Sequence, residues 1–161
     1  DLVISKYIEG SYIYRTSWLY SKYRRNFVKT IIHSALRNED EIKVVNDQVG
    51  QPTSARDLSR RIVDSIENKI RPGIYHASNT GETSWYEFAR CIFQLIGEDP
   101  ERVKPITSKE LASRAKRPNY SVLGQDCWKN TGIQPMRNWE IAVREQISEI
   151  KESVLREGEK V

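Results

Sequence analysis

With 161 residues, 38% of them hydrophobic and 30% charged, the chain has the size and composition of one globular domain and lies outside the regime that keeps a chain disordered. A net charge of +4 favours anionic partners without choosing among phosphate, nucleotide and polynucleotide. No run approaches the ~18 apolar residues that span a bilayer, and the opening segment Asp1 to Ser5 lacks the basic and long apolar regions of a signal peptide, so a cytoplasmic location and no membrane partner are expected.

That opening segment is apolar and helix-like with no capping signal, and it reads as the cut end of a longer chain. Residues 1–11 are expected to close a preceding helix. A strand is predicted over residues 12–17, after the turn signal Glu9-Gly10. From Asn26, Phe27, Val28, Ile31, Ile32, Ala35 and Leu36 form one face of an amphipathic helix. A strand over residues 42–45 then runs into the polar loop 46–53, where Gly50 and Pro52 fix a turn.

A second helix is predicted over residues 55–68, with Leu58, Ile62 and Ile66 as its buried face, before a strand over residues 74–76. Ser84 opens a third helix as the N-cap of a capping box in which Glu87 reaches back. Trp85, Phe88, Ala89, Ile92 and Ile96 give that helix its buried stripe, and it ends near Gly97. A short strand over residues 102–106 and a loop over residues 111–123, centred on Arg117-Pro118, lead to a last helix over residues 139–154. Its inner face is Val143, Ile147, Ile150 and Val154, and residues 156–161 are expected to fray.

Alternating strands and helices imply a parallel α/β arrangement. Ligands in such folds sit beyond the carboxyl ends of strands, which points at Ser17-Trp18, Asp47-Gln48 and Ala77-Ser78. The chemistry that is missing is equally informative. The glycines form neither a dinucleotide fingerprint nor a Walker loop, and neither a nucleophile elbow nor a His-Glu-x-x-His helix is present. His33 and His76 read as structural or surface residues. None of the eight tyrosines has a lysine four residues on, so a lysine-activated phenol for proton transfer is not encoded here. Cys91 and Cys127 lack metal-ligand or redox spacing and read as free thiols, and no metal site is expected.

Six groups nevertheless stand in a distinctive order: Arg15-Thr16-Ser17-Trp18; Asn26-Phe27; Asp47-Gln48 with Gly50 and Pro52-Thr53; Gly73 to His76; Ser84 to Ala89; and Arg117-Pro118 with Ser121 and Leu123. Their order and spacing resemble the second half of the dTDP-4-dehydrorhamnose reductases, members of the extended short-chain dehydrogenase/reductase superfamily. The resemblance covers nearly the whole chain, from about residue 12 to the helix after Trp139. It implies an α/β fold: the C-terminal portion of an NAD(P)-binding Rossmann-type extended short-chain reductase, with few short strands and four main helices, making a single substrate-binding domain over residues 1–161.

The activity that the resemblance implies is hydride transfer from NADPH or NADH to the C4 ketone of a dTDP-linked 6-deoxyhexulose, yielding dTDP-L-rhamnose for polysaccharide biosynthesis. The cofactor loop and the catalytic tyrosine and lysine would lie upstream of Asp1. No catalytic residue is therefore expected in this chain. Its expected partners are a dTDP-sugar and the absent N-terminal Rossmann half.

The resemblance also implies roles for individual residues. Trp18 would pack its indole on the deoxysugar ring beside the nicotinamide, with a core tryptophan as the alternative. Asn26 can cap its helix while the free N–H groups there favour a diphosphate. Arg117 could grip the nucleotide diphosphate bidentately. Gln48 and Gln51 would contact the nucleotide or stabilise their loop, and Thr16 and Ser17 would line the nicotinamide pocket. Trp85, Phe88 and Trp139 read as core, with Trp128 open. Arg56 stands where some members place an acidic ligand of a dimer-bridging metal, and a cation there would repel a divalent ion. Two alternatives remain: a non-catalytic relative such as the regulatory subunit of methionine adenosyltransferase, and a basic nucleic-acid-binding module suggested by Lys22-Tyr23-Arg24-Arg25.

Overall fold

Three short polar side chains decide where the long helices start. Asn26, Ser54 and Ser84 each accept a hydrogen bond from the backbone N–H three residues on, at Lys29, Asp57 and Glu87, satisfying one of the donors that every helix start leaves open. The computed structural model describes residues 1–37, 41–111 and 117–158.

In chain order the elements are α1 (Leu2–Tyr7), β1 (Tyr12–Arg15), β2 (Leu19–Tyr20), α2 (Phe27–Leu36), β3 (Ile42–Val45), β4 (Val49–Gly50), β5 (Thr53–Ser54) and α3 (Ala55–Glu67). They continue with β6 (Gly73–His76), β7 (Thr83–Ser84), α4 (Trp85–Ile96), β8 (Val103–Ile106) and α5 (Trp139–Gly158), with 3-10 turns at Pro100–Arg102 and Asp126–Trp128. Strands pair two by two. β1 with β6, β2 with β5 and β3 with β8 are parallel, while β4 with β7 is antiparallel. An α/β fold with few short strands is thus present, as expected.

Helices α2, α4 and α5 pack on one another, and α4 packs on β3 and β8, around a core that includes Ile32, Phe88, Ile92, Phe93, Val103, Val143 and Ile150. A smaller cluster of Ile70, Tyr75, Ala77, Trp128 and Met136 lies against β1 and β6. Among the described residues, no helix is long and apolar enough to cross a membrane.

Four local expectations need correction. β1 ends at Arg15 instead of residue 17, and Trp18 lies in the turn before β2 at φ 42, so it does not end a strand. The buried face of α3 is Asp57, Arg61 and Ser65, whereas Ile66 is 60% exposed; the polar partners of that face, described below, outweigh the apolar spacing. In the capping box, Glu87 supplies only its backbone N–H, because Ser84 already lies in β7, paired with Val49. Helix α5 runs to Gly158, with Arg156 paired to Glu152 and Glu157 to Lys29; the expected fraying of residues 159–161 lies outside the described residues.

Candidate functional site

Gln51 is the point where three loops meet. Only 3% exposed, it accepts at its backbone carbonyl a hydrogen bond from the Ser17 hydroxyl (2.7 Å). Its side-chain Oε1 accepts from the Ser78 hydroxyl (2.9 Å) and from the Leu123 N–H (2.8 Å). Gln125 then donates to the Ser78 hydroxyl (2.9 Å). The ends of β1 and β6, and the segment that carries Arg117, are thereby held against β4, where Ser121 N–H donates to the Val49 carbonyl (2.9 Å). The convergence of loops expected from the strand order is built on this one buried amide.

Next to it, Gly50 supplies a gap instead of a side chain. A Cβ at that position would lie 2.5 Å from Trp18 Cε2, so only glycine lets the Trp18 indole lie flat against the strand. The indole stacks on that of Trp85, with centroids 3.6 Å apart and planes 10° from parallel. Phe27 closes on Trp85 at 4.4 Å. Trp85 and Phe27 are each the first residue of a helix, α4 and α2, and their half-buried rings pack on the edge of the core, Phe27 against Phe88.

Beyond this stack opens a cleft of about 520 Å³, lined by Phe27, Ile31, Val44, Gln48, Trp85 and Arg117 among others. Its lining joins an apolar, aromatic wall to the polar side chains Thr30, Ser34, Glu41, Lys43, Gln48 and Arg117, a combination that suits a small-molecule site. Gln48 is 7% exposed and donates to the Ser108 hydroxyl (2.9 Å). That hydroxyl donates in turn to Asp47 (2.6 Å), and Ser108 N–H also donates to the same carboxylate. The Ser108 hydrogen bonds hold the Asp47 carboxyl below its usual range, which favours the carboxylate that accepts them and anchors the Gln48 loop. Arg117 stands exposed at the rim, with no ion pair among the described residues.

The expected site residues thus separate into groups. Gln48 and Arg117 share the cleft. Trp18 backs its aromatic wall through Trp85. Asn26 is committed to the turn before α2, where it accepts from Lys29 N–H and donates to the Ser21 carbonyl (2.7 Å), and its neighbour Phe27 is the residue that reaches the cleft. Gln51 and Ser17 are bonded to each other below the loops. Thr16 is exposed beside them.

Two cleft residues were missed by the reading of the sequence. Trp85 was assigned to the core and is half-buried, forming the cleft wall; Phe27 was placed on its helix face and in the Asn26-Phe27 motif but given no role at the site. The available signal was position, since both follow a cap residue directly. Phe88, Trp139 and Trp128 are buried, and the Trp128 indole donates to the His76 carbonyl (2.6 Å). Arg56 pairs with Glu149, which also pairs with Lys22. Among the described residues, no group of three metal-ligating side chains gathers.

Residues 2–152 match the family model described as RmlD substrate binding domain. A dTDP-4-dehydrorhamnose reductase of Streptomyces griseus is 46% identical, over 85% of this chain and 46% of the relative. A probable dTDP-4,6-dihydroxy-2-methyloxan-3-one 4-ketoreductase of Streptomyces antibioticus is 44% identical, over 86% of this chain and 46% of the relative. Among solved structures, dTDP-4-dehydrorhamnose reductase from Bacillus anthracis in complex with NADP superposes with a TM-score of 0.80 at 40% identity, over 86% of this chain and 48% of that one. The chain spans about half the length of the curated relatives it matches.

Proposed function

The chain belongs to the RmlD substrate-binding domain family, and on that premise we propose that it is the sugar-nucleotide-binding domain of a cytoplasmic, NAD(P)H-dependent dTDP-4-dehydrorhamnose reductase. The observation that carries this reading is the cleft in which Phe27 and Trp85 form an aromatic wall while Gln48 and Arg117 supply polar contacts. A thymine ring lies against the aromatic wall, where stacking and burial favour a flat base. Gln48 hydrogen-bonds the base edge. The Arg117 guanidinium takes the diphosphate, whose oxygens match its paired N–H donors. Trp18, behind Trp85, holds the wall in place and presents its indole edge toward the sugar.

NADPH or NADH, when bound, supplies the hydride for the C4 ketone. Of the two residues expected to face the nicotinamide, Thr16 fits, with an exposed hydroxyl; the Ser17 hydroxyl is already given to the Gln51 carbonyl. The proton for the new C4 hydroxyl comes from a tyrosine of the companion N-terminal half, so this domain orients the substrate and excludes water without itself reacting. No nucleic-acid or membrane partner enters this reading, and residues 1–161 act as one domain. With Arg56 in an ion pair with Glu149, no dimer bridged by a divalent ion at Arg56 is expected.

Titration of the chain with dTDP, followed by tryptophan fluorescence, tests the proposal. Quenching that saturates is expected, with an affinity roughly tenfold weaker in Arg117→Ala, the loss of one charge-assisted contact. A flat titration, or equal affinity in the variant, would remove the cleft as the nucleotide site.

A further inference from the structure

A second concave site lies on the neighbouring flank of α2, with Thr30 on the ridge between it and the aromatic cleft. This cleft, of about 490 Å³, is lined by Arg24, Arg25, Lys29, His33 and Arg37, with Glu157 as its acid. Lys29 and His33 of α2 and Arg37, the residue that caps its C-terminal end, stand at a spacing of four, which places them in one row. Arg24 and Arg25 come from the loop that Asn26 pins by donating to the carbonyls of Ser21 and Arg24. Arg24 sits at φ 55, a left-handed backbone conformation that costs energy for any residue with a Cβ.

Among the described residues, the charges of this cleft are not balanced. Glu157 is already used by Lys29, whose side chain is 6% exposed and whose ammonium lies 2.5 Å from the carboxylate. Arg24, Arg25, His33 and Arg37 are exposed and have no ion-pair partner among the described residues. Like charges gathered without a counter-charge repel one another, and a phosphate-bearing ligand relieves that repulsion while filling the donors of several guanidinium forks at once. The run Lys22-Tyr23-Arg24-Arg25 therefore has a use other than solvation. We propose that this cleft binds a small anion of diphosphate charge and size, at a site separate from the aromatic cleft and independent of the nucleotide reading.

The test is calorimetric titration of the chain with inorganic pyrophosphate at low salt. Saturable binding is expected, weakening as salt rises, and at least roughly tenfold weaker in the double variant Arg25→Ala, Arg37→Ala, in which two charge-assisted contacts are lost. Both residues are exposed, and an unchanged thermal melt checks that the variant folds. Arg117→Ala, which changes only the other cleft, should keep the pyrophosphate binding that the double variant loses, and the double variant should keep its fluorescence response to dTDP. Binding that survives the double variant, that is lost with Arg117→Ala, or that is absent in the parent chain overturns the proposal. So does tighter binding, at the same salt, of a short DNA duplex or of vesicles carrying an acidic phospholipid.

Discussion

Helices α3 and α4 have nearly the same length, 13 and 12 residues, and each begins at a serine cap, yet they bury opposite chemistry. α4 turns Phe88, Ala89, Ile92, Phe93 and Ile96 inward, and every one of those residues gains by leaving water. α3 turns Asp57, Arg61 and Ser65 inward and leaves Val63 and Ile66 exposed. The α3 face is held mainly by partners from far along the chain, although the Ser65 hydroxyl turns back to the Arg61 carbonyl one turn earlier (2.7 Å) and two of the Arg61 guanidinium nitrogens are buried without a hydrogen bond. Arg137 grips Asp57 with two hydrogen bonds (2.8 and 3.0 Å), and Asn79 donates to the same carboxylate (2.8 Å) while accepting from Ser54 N–H (2.8 Å). Gln146 of α5 donates to the Ser54 hydroxyl (2.7 Å). Arg61 lies over the Trp128 ring at 4.5 Å and donates to the Gln134 carbonyl. One helix anchors the body of the domain; the other anchors the loops that end at the site.

The comparison can be broken most directly at α4. Phe88→Ala is expected to cost about 3–5 kcal/mol, through lost burial and the cavity left behind, read from urea denaturation. Asp57→Ala should cost less, about 2–3 kcal/mol, because the Arg137 side chain is 26% exposed and keeps its second ion pair, to Glu145. A further difference separates the two: Phe88→Ala should weaken the whole domain, whereas Asp57→Ala should also loosen the loop around Asn79, seen as faster amide exchange there. Equal and uniform effects of both variants would show that the polar face merely fills space.

Gly50→Ala sharpens the comparison at the site itself. The added methyl must displace the Trp18 indole, and overpacking of this kind costs about 1–3 kcal/mol. Dimmed or shifted tryptophan emission is expected even where most of the fold survives. A variant with parental emission would mean that the Trp18 and Trp85 rings need no support from β4.

The smallest effect expected is at Cys91, on the flank of α4. Burial, with a lesser contribution from the Glu140 charge, pushes its thiol up from 9.0 to about 11. The folded state then holds the proton more tightly than the unfolded chain. Stability from this group is full below about pH 9 and declines as pH rises toward 11. Melting temperatures taken across that interval should fall less in Cys91→Ala than in the parent chain.

Much of this was legible in the residues. The spans of α2, α3 and α4 follow from caps and periodicity, and the residues of the six ordered motifs lie at or beneath the site. The parts that were not legible depend on distant partners. The inner face of α3 reads as Leu58, Ile62 and Ile66 until Arg137, Asn79 and Gln146 are brought to it, 22 to 92 residues away along the chain. The turn at Trp18 depends on the missing side chain of Gly50, and Trp85 leaves the core only because Trp18 and Phe27 flank it. The Gln51 amide looks like any loop glutamine until Ser78 and Leu123 arrive.

The stacked indoles of Trp18 and Trp85 also make the domain its own optical instrument. Two identical chromophores 3.6 Å apart are close enough to couple their excited states, so a paired positive and negative band in the ultraviolet circular dichroism is expected wherever their transition dipoles are twisted relative to each other. That couplet is a signature of relative ring orientation and not of exposure. A ligand that slides one ring over the other is expected to change it without any label.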